Sequence, residues 1–205
     1  MILMVVPVLA LLLGWLLGGK PERLLQLRWR GAGWVLAIFA AQWLLVHLAG
    51  SSPTLGLGAL LLAGQGATIG WLALNRALPG MKIVLTGALL NGVVMLANGG
   101  FMPISPANLA ASGLDRLAPL LQQRLPNSKD VLLLPDQIHL AWLGDCLPLA
   151  WPTQQVYSPG DLLITGGLLI LLLQGMGIRR RSTRKGLRRG DPQAEEPIAG
   201  GLLTP

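Results

Sequence analysis

The sequence predicts an all-α integral membrane protein: five transmembrane helices, N-terminus out and C-terminus in, with an outer cap between helices four and five. Three observations predict it. The 205 residues are 52% hydrophobic and only 12% charged, against about 25% charged in a soluble domain. The apolar residues fall in five runs approaching the ~20 residues that cross a bilayer, and no Asp, Glu, Lys or Arg interrupts any of them. The sixteen basic residues are lopsided. Stretches assigned to the inside hold four, two and seven, and the long outer loop holds three, as the positive-inside rule requires.

Residues 1–98 are expected to form a four-span bundle. Ile2 to Gly18 is the first span, with no charge before it and Lys20, Arg23, Arg28 and Arg30 after it. That order is the reverse of a secretory signal. Gly14 and Gly18 offer a second helix a close approach. Gly33 to Gly50 returns outward, with Trp34 at the inner end and Trp43 toward the outer one. His47 reads as an interfacial, hydrogen-bonded side chain. The uncharged link Ser51-Ser52-Pro53-Thr54 makes Leu55 to Asn75 an antiparallel neighbour, whose Gln65 is expected to bond another helix.

Arg76 and Lys82 bracket a turn at Pro79-Gly80, and the fourth span then delivers Asn98 to the outer surface. Asn91 lies midway along it. The two asparagines sit about two turns apart, near one face at ~3.6 residues per turn. An unpaired amide is costly in hydrocarbon, so that face should meet protein or a wet cavity.

Residues 99–160 form the cap. Ser105-Pro106 starts a helix, with serine as N-cap and proline at the first helical position. Leu109, Leu117, Leu120 and Leu121, with Asp115, Arg116 and Arg124, predict an amphipathic helix ending before Pro126. Beyond it, Pro135, Pro148 and Pro152 favour extended segments and turns. Residues 161–178 are the fifth span. Residues 179–205, basic and then acidic, are expected to be a disordered cytoplasmic tail.

Composition and motifs narrow the function. The basic residues flank apolar runs rather than forming a basic surface interleaved with aromatics, so nucleic acid is not an expected partner. Cys146 is the sole cysteine and there are two histidines, poor material for a metal site. No phosphate-binding glycine loop or hydrolase motif is present, and no cofactor is expected. The absence of ionisable residues from the spans disfavours a pump and weakens a small-molecule carrier.

What remains is a polar crown at the outer boundary. Asn91, Asn98, Asp145, Ser158 and Asp161 are the ligand-binding candidates. Asp145 and Asp161 are also weak catalytic candidates, because paired carboxylates can share a proton and activate water. The competing reading is structural: a carboxylate at a helix start caps free N–H groups. Binding or scaffolding is therefore the leading function, with a membrane-embedded hydrolase or a carrier as alternatives. Expected partners are membrane lipid and a membrane protein or second copy of the chain.

Several blocks carry a resemblance. They are Asn91-Gly92, Ala97-Asn98-Gly99-Gly100 with Met102-Pro103, Leu143-Gly144-Asp145-Cys146-Leu147-Pro148, and Val156 through Ile164. Together they resemble a bacterial family of multi-pass membrane proteins, the domain-of-unknown-function family numbered 5317, over roughly residues 1–180. The resemblance implies a bacterial inner-membrane location and carries no activity with it.

Overall fold

The computed structural model describes residues 2–152 and 154–178. The tail expected to be disordered lies outside the described residues. The protein is mostly helical: α1 (Ile2–Leu16), α2 (Glu22–Leu25), α3 (Ala32–Leu48), α4 (Leu55–Leu74), α5 (Met81–Ala97), α6 (Pro106–Ala111) and α7 (Pro159–Gly175). Between α5 and α7 lie four short strands, β1 (Met102–Ile104), β2 (Asp130–Leu132), β3 (Leu147–Leu149) and β4 (Gln155–Tyr157).

Helix α4 alone among the described residues is long and apolar enough to cross a membrane. The other apolar helices are of 17 residues or fewer, so their lengths do not themselves establish the expected five spans. Local chemistry sets where they begin. Thr54 Oγ1 accepts from Leu57 N–H at 3.3 Å to cap α4, and Gly80, at φ +72, turns the chain into α5. Helix α7 starts on a reciprocal cap between Ser158 and Asp161, with Pro159 in the first turn.

The long helices pack in the order α3, α4, α5, α7, α1, with α5 and α7 in the most extensive contact. That contact is made on small residues. A Cβ added to Gly87 would run into the Gly160 carbonyl, and one added to Gly167 would sit 2.6 Å from Val84 Cγ2. Without side chains, facing glycines let two helix backbones approach closely. Gly14 meets the α7 end likewise, at Met176 Sδ. Gly18 does not; at φ +82 it ends the turn after α1. Gln65 Nε2 donates to Ala88 O on α5 at 2.8 Å, the interhelical bond expected of it.

The cap is continuous with the bundle core. Leu57 and Leu61 of α4 and Val94 and Met95 of α5 share one buried cluster with Phe101, Met102, Val131 and Leu143 of the cap. The single amphipathic helix expected before Pro126 is not formed. Helix α6 stops after six residues, Gly113 turns at φ +78, and Asp115–Leu120 is a 3-10 turn containing Pro119. A proline removes a backbone donor and breaks an α-helix. The Ser105 cap is formed, accepting from Asn108 N–H at 3.2 Å.

Arg124, expected on a solvated helix face, is instead buried at 4% exposure. Its Nη2 donates to Ala49 O at 2.6 Å and its Nε to Gly50 O at 3.2 Å. Those carbonyls follow the C-terminus of α3, where a cation is favourable. The arginine therefore ties the cap to the α3–α4 turn.

Candidate functional site

Strand pairing explains how the cap's carboxylates gather. β1 and β2 are parallel, with Met102 opposite Asp130. Ile104 also bridges Asp145, whose N–H donates to Pro103 O at 3.2 Å. β1 thus has Asp130 on one neighbouring segment and Asp145 on another. β3 and β4 are antiparallel, with Leu147 opposite Tyr157. Asp145 just precedes β3 and Ser158 just follows β4, so the hairpin draws Asp145 toward the start of α7.

At that start, three side chains close on one another. Asn91, 2% exposed, donates from Nδ2 to Asp161 Oδ1 at 2.9 Å. Ser158 Oγ donates to Asn91 Oδ1 at 2.9 Å, and Ser158 N–H donates to Asp161 Oδ2 at 3.1 Å. Asp161 N–H donates back to Ser158 Oγ at 3.1 Å. Gly160 makes this possible, since a Cβ there would collide with Asn91 Oδ1. Three of the five crown candidates therefore meet directly.

The other two are placed differently. Asn98 lies about 10 Å further along the helix axis at ~1.5 Å per residue. Its amide spans the His139 backbone, donating to His139 O at 2.9 Å and accepting from His139 N–H at 3.0 Å. This is a latch between the end of α5 and the cap. Asp145, 6% exposed, joins the group through charge instead of a hydrogen bond. Among the described residues no donor bonds its carboxylate; its main-chain carbonyl accepts from Asn108 Nδ2 at 3.0 Å.

Burial pushes the Asp145 carboxyl well above the ordinary carboxylate range, and the charges of Asp130 and Asp161 push it further, with Lys129 opposing. Asp130 is also raised, first by burial, with Ser128 and Lys129 pulling the other way. Cys146 next door is raised by burial and by Asp145. Sequence reasoning missed Asp130, because its approach depends on a parallel pairing across 25 intervening residues between β1 and β2. No group of three or more His, Cys, Asp or Glu among the described residues has the arrangement of a metal site.

Residues 27–173 match the profile described as Family of unknown function (DUF5317). The chain belongs to this family. The matched span covers α3 through most of α7, including every crown candidate. An uncharacterised protein of Thermotoga maritima is 32% identical over 104 residues, 48% of this chain and 54% of that relative. The match thus spans about half of the relative's length. No solved structure matches.

Proposed function

We propose that this member of the DUF5317 family is a multi-pass protein of the bacterial inner membrane that binds or scaffolds through its outer cap. The observation that carries the membrane reading is the apolar exterior of the helices. In α4 only 22% of the most apolar window is buried, whereas a core helix of a soluble protein would be mostly covered. Leu12 and Trp15 of α1, Leu36 and Phe39 of α3, and Val93 and Leu96 of α5 are exposed as well. Helices of 17 residues sit at the short end of the range that spans a bilayer, about 17 to 25. These are α3, α5 and α7. With α4 and the shorter α1, of 15 residues, they support a five-span topology, N-terminus out and C-terminus in.

Scaffolding through the cap is favoured over catalysis because the crown's hydrogen bonds are spent internally. Asn91, Ser158 and Asp161 satisfy one another, and Asn98 is committed to the His139 backbone. Lipid around the bundle and a membrane protein or second copy at the cap are the partners this surface suits.

The test is alkaline extraction of membranes followed by cysteine labelling in a Cys146→Ser background. The protein should stay in the membrane pellet. Asp136→Cys should react with an impermeant maleimide in intact spheroplasts, and Ala77→Cys only in inverted vesicles. Release into the supernatant, or labelling on the opposite faces, overturns the reading. A hydrolytic centre is the second reading, favoured by the unbonded, raised Asp145 carboxyl beside Asp130 and Asp161. It requires Asp145→Asn to be folded yet unable to complement a deletion.

A further inference from the structure

The basic turn between α2 and α3 does not wander at the surface; it is clamped onto the C-terminal end of α4. Asn75, 2% exposed, accepts from Arg30 N–H at 2.9 Å and donates from Nδ2 to Arg30 O at 3.0 Å. Trp71 Nε1 donates to Gly31 O at 3.0 Å. Trp29 stacks on Trp71 with ring centroids 5.8 Å apart and planes 5° from parallel. Between the clamped turn and the helix end lies a cleft of about 720 Å³, lined by Arg28, Trp29, Arg30, Leu74, Arg76 and Leu78 among others.

Three exposed guanidinium groups border this cleft, and among the described residues no carboxylate pairs with any of them. The α4 macrodipole accounts for a cation at Arg76, which follows that helix. It does not account for Arg28 and Arg30, which arrive on a separate segment. Guanidinium groups present planar pairs of donors that match phosphate oxygens. The lining is amphipathic: cationic groups beside Trp29 and the exposed Leu74. It also stands at the end of the helix long enough to cross a bilayer, which on the membrane reading is headgroup depth.

We propose that this cleft seats the phosphate of an anionic phospholipid headgroup, with Arg28, Arg30 and Arg76 as its ligands. The inference rests on the membrane reading above. It adds a defined lipid site on the face opposite the cap. Apolar flanking residues favour a lipid over free phosphate, because acyl chains continue along Leu74 into the bilayer.

The test is native mass spectrometry and detergent melting of the full chain titrated with phosphatidylglycerol, phosphatidylcholine or inorganic phosphate. The expected result is one phosphatidylglycerol retained at least tenfold more tightly than phosphatidylcholine, with a matching rise in melting temperature. Joint R28Q/R30Q/R76Q should abolish that preference, while R179Q/R180Q/R181Q in the tail should keep it. If the triple variant does not fold, R76Q alone should weaken retention several-fold. Preference surviving in the cleft variant, or lost only in the tail variant, overturns the site. Full competition by millimolar inorganic phosphate overturns the lipid as occupant. Release by alkali sinks the membrane reading, whereas a membrane-bound protein without headgroup preference sinks this inference alone.

Discussion

Asn91 and Asp161 are joined across the most extensive helix contact of the bundle, Nδ2 of the first donating to Oδ1 of the second at 2.9 Å. The same amide accepts from Ser158 Oγ at 2.9 Å. Both ends of Asn91 are therefore in use, and its orientation is fixed by one donor and one acceptor. An asparagine in the middle of an apolar helix is thereby stabilised where an unpaired amide would cost several kcal/mol.

Asn91→Leu should lower stability by about 1 to 3 kcal/mol, the cost of leaving buried partners unsatisfied. The Ser158 hydroxyl loses its acceptor and the Asp161 carboxylate one donor. Asn91→Asp keeps the shape but sets a second carboxylate against the first. Its loss should be larger at pH 8 than at pH 5. Detergent melting at both pH values measures this, and equal losses would contradict the drawn network.

At Asp161 the cap and the network make the same demand. Asp161→Asn has a single acceptor oxygen, so it can keep the bond from Ser158 N–H or the one from Asn91 Nδ2 but not both. It should cost less than the alanine change, which keeps neither. Asp161→Ala also removes the carboxylate half of the reciprocal cap, the acceptor of Ser158 N–H, while the Ser158 hydroxyl remains as N-cap. Complementation by Asp161→Asn at wild-type level would count against any catalytic role. A folded but inactive Asp161→Asn would favour the hydrolytic reading.

Glycine placement gives a paired comparison on one helix. Gly160→Ala drives a methyl group into the Asn91 side chain and the Gly87 carbonyl, which are held by their own packing. Overpacking of that kind costs about 1 to 3 kcal/mol. Gly166 has open space around its Cβ position. Gly166→Ala should therefore be neutral or stabilise by up to about 1 kcal/mol, the helix propensity difference. Equal melting shifts would mean α5 and α7 do not cross where described.

The contrast between Gln65 and Arg124 shows what was legible in the sequence. Gln65 stands in an apolar helical run, and its bond to a neighbouring helix follows from the cost of an unpaired amide. Asp161 and Ser105 were equally readable, because capping is local chemistry within one turn. Arg124 was misread since its spacing suited an amphipathic helix that Gly113 and Pro119 break. Its partners lie 74 and 75 residues away. Asp130 was missed for the same reason. Asn98 shared a helical face with Asn91 on paper, but its position at the helix end sent it to His139. Periodicity places residues on faces; it does not say which distant backbone arrives there.

Arg124→Ala should therefore behave as a core mutation despite the residue's charge. It removes several charge-assisted hydrogen bonds to Ala49, Gly50 and Ser128, each type worth about 1.5 to 3 kcal/mol. The carbonyls of Ala49, Gly50 and Ser128 lose this donor. Arg124→Lys should recover little, because one ammonium cannot reproduce the planar fork. Limited proteolysis should show the α3–α4 turn and the cap loosening together in both variants. Loosening of the cap alone would contradict the tie.

Asp145 and Asp130 set the pH dependence of the cap. Both carboxyls are raised in the folded protein, first by burial and then by neighbouring carboxylates, Asp130 and Asp161 for Asp145 and Asp161 for Asp130, while the unfolded chain titrates in the ordinary carboxylate range. Below that range both states are protonated and this contribution to stability is fully present. As pH rises, the unfolded chain releases protons that the folded chain still holds, so stability falls. The fall continues through the raised Asp145 pKa and then levels off. From neutral pH, mild acidification should accordingly raise the melting temperature in detergent. Asp145→Asn keeps the volume and removes the charge, so it should melt higher than wild type at neutral pH. It should also flatten the slope, and Asp130→Asn with Asp145→Asn should flatten it further. Asp136→Asn, at an exposed site, should leave the slope unchanged. Melting curves from pH 4.5 to 8 measure all four proteins. A wild-type slope in Asp145→Asn would show that its carboxyl does not carry the buried charge described.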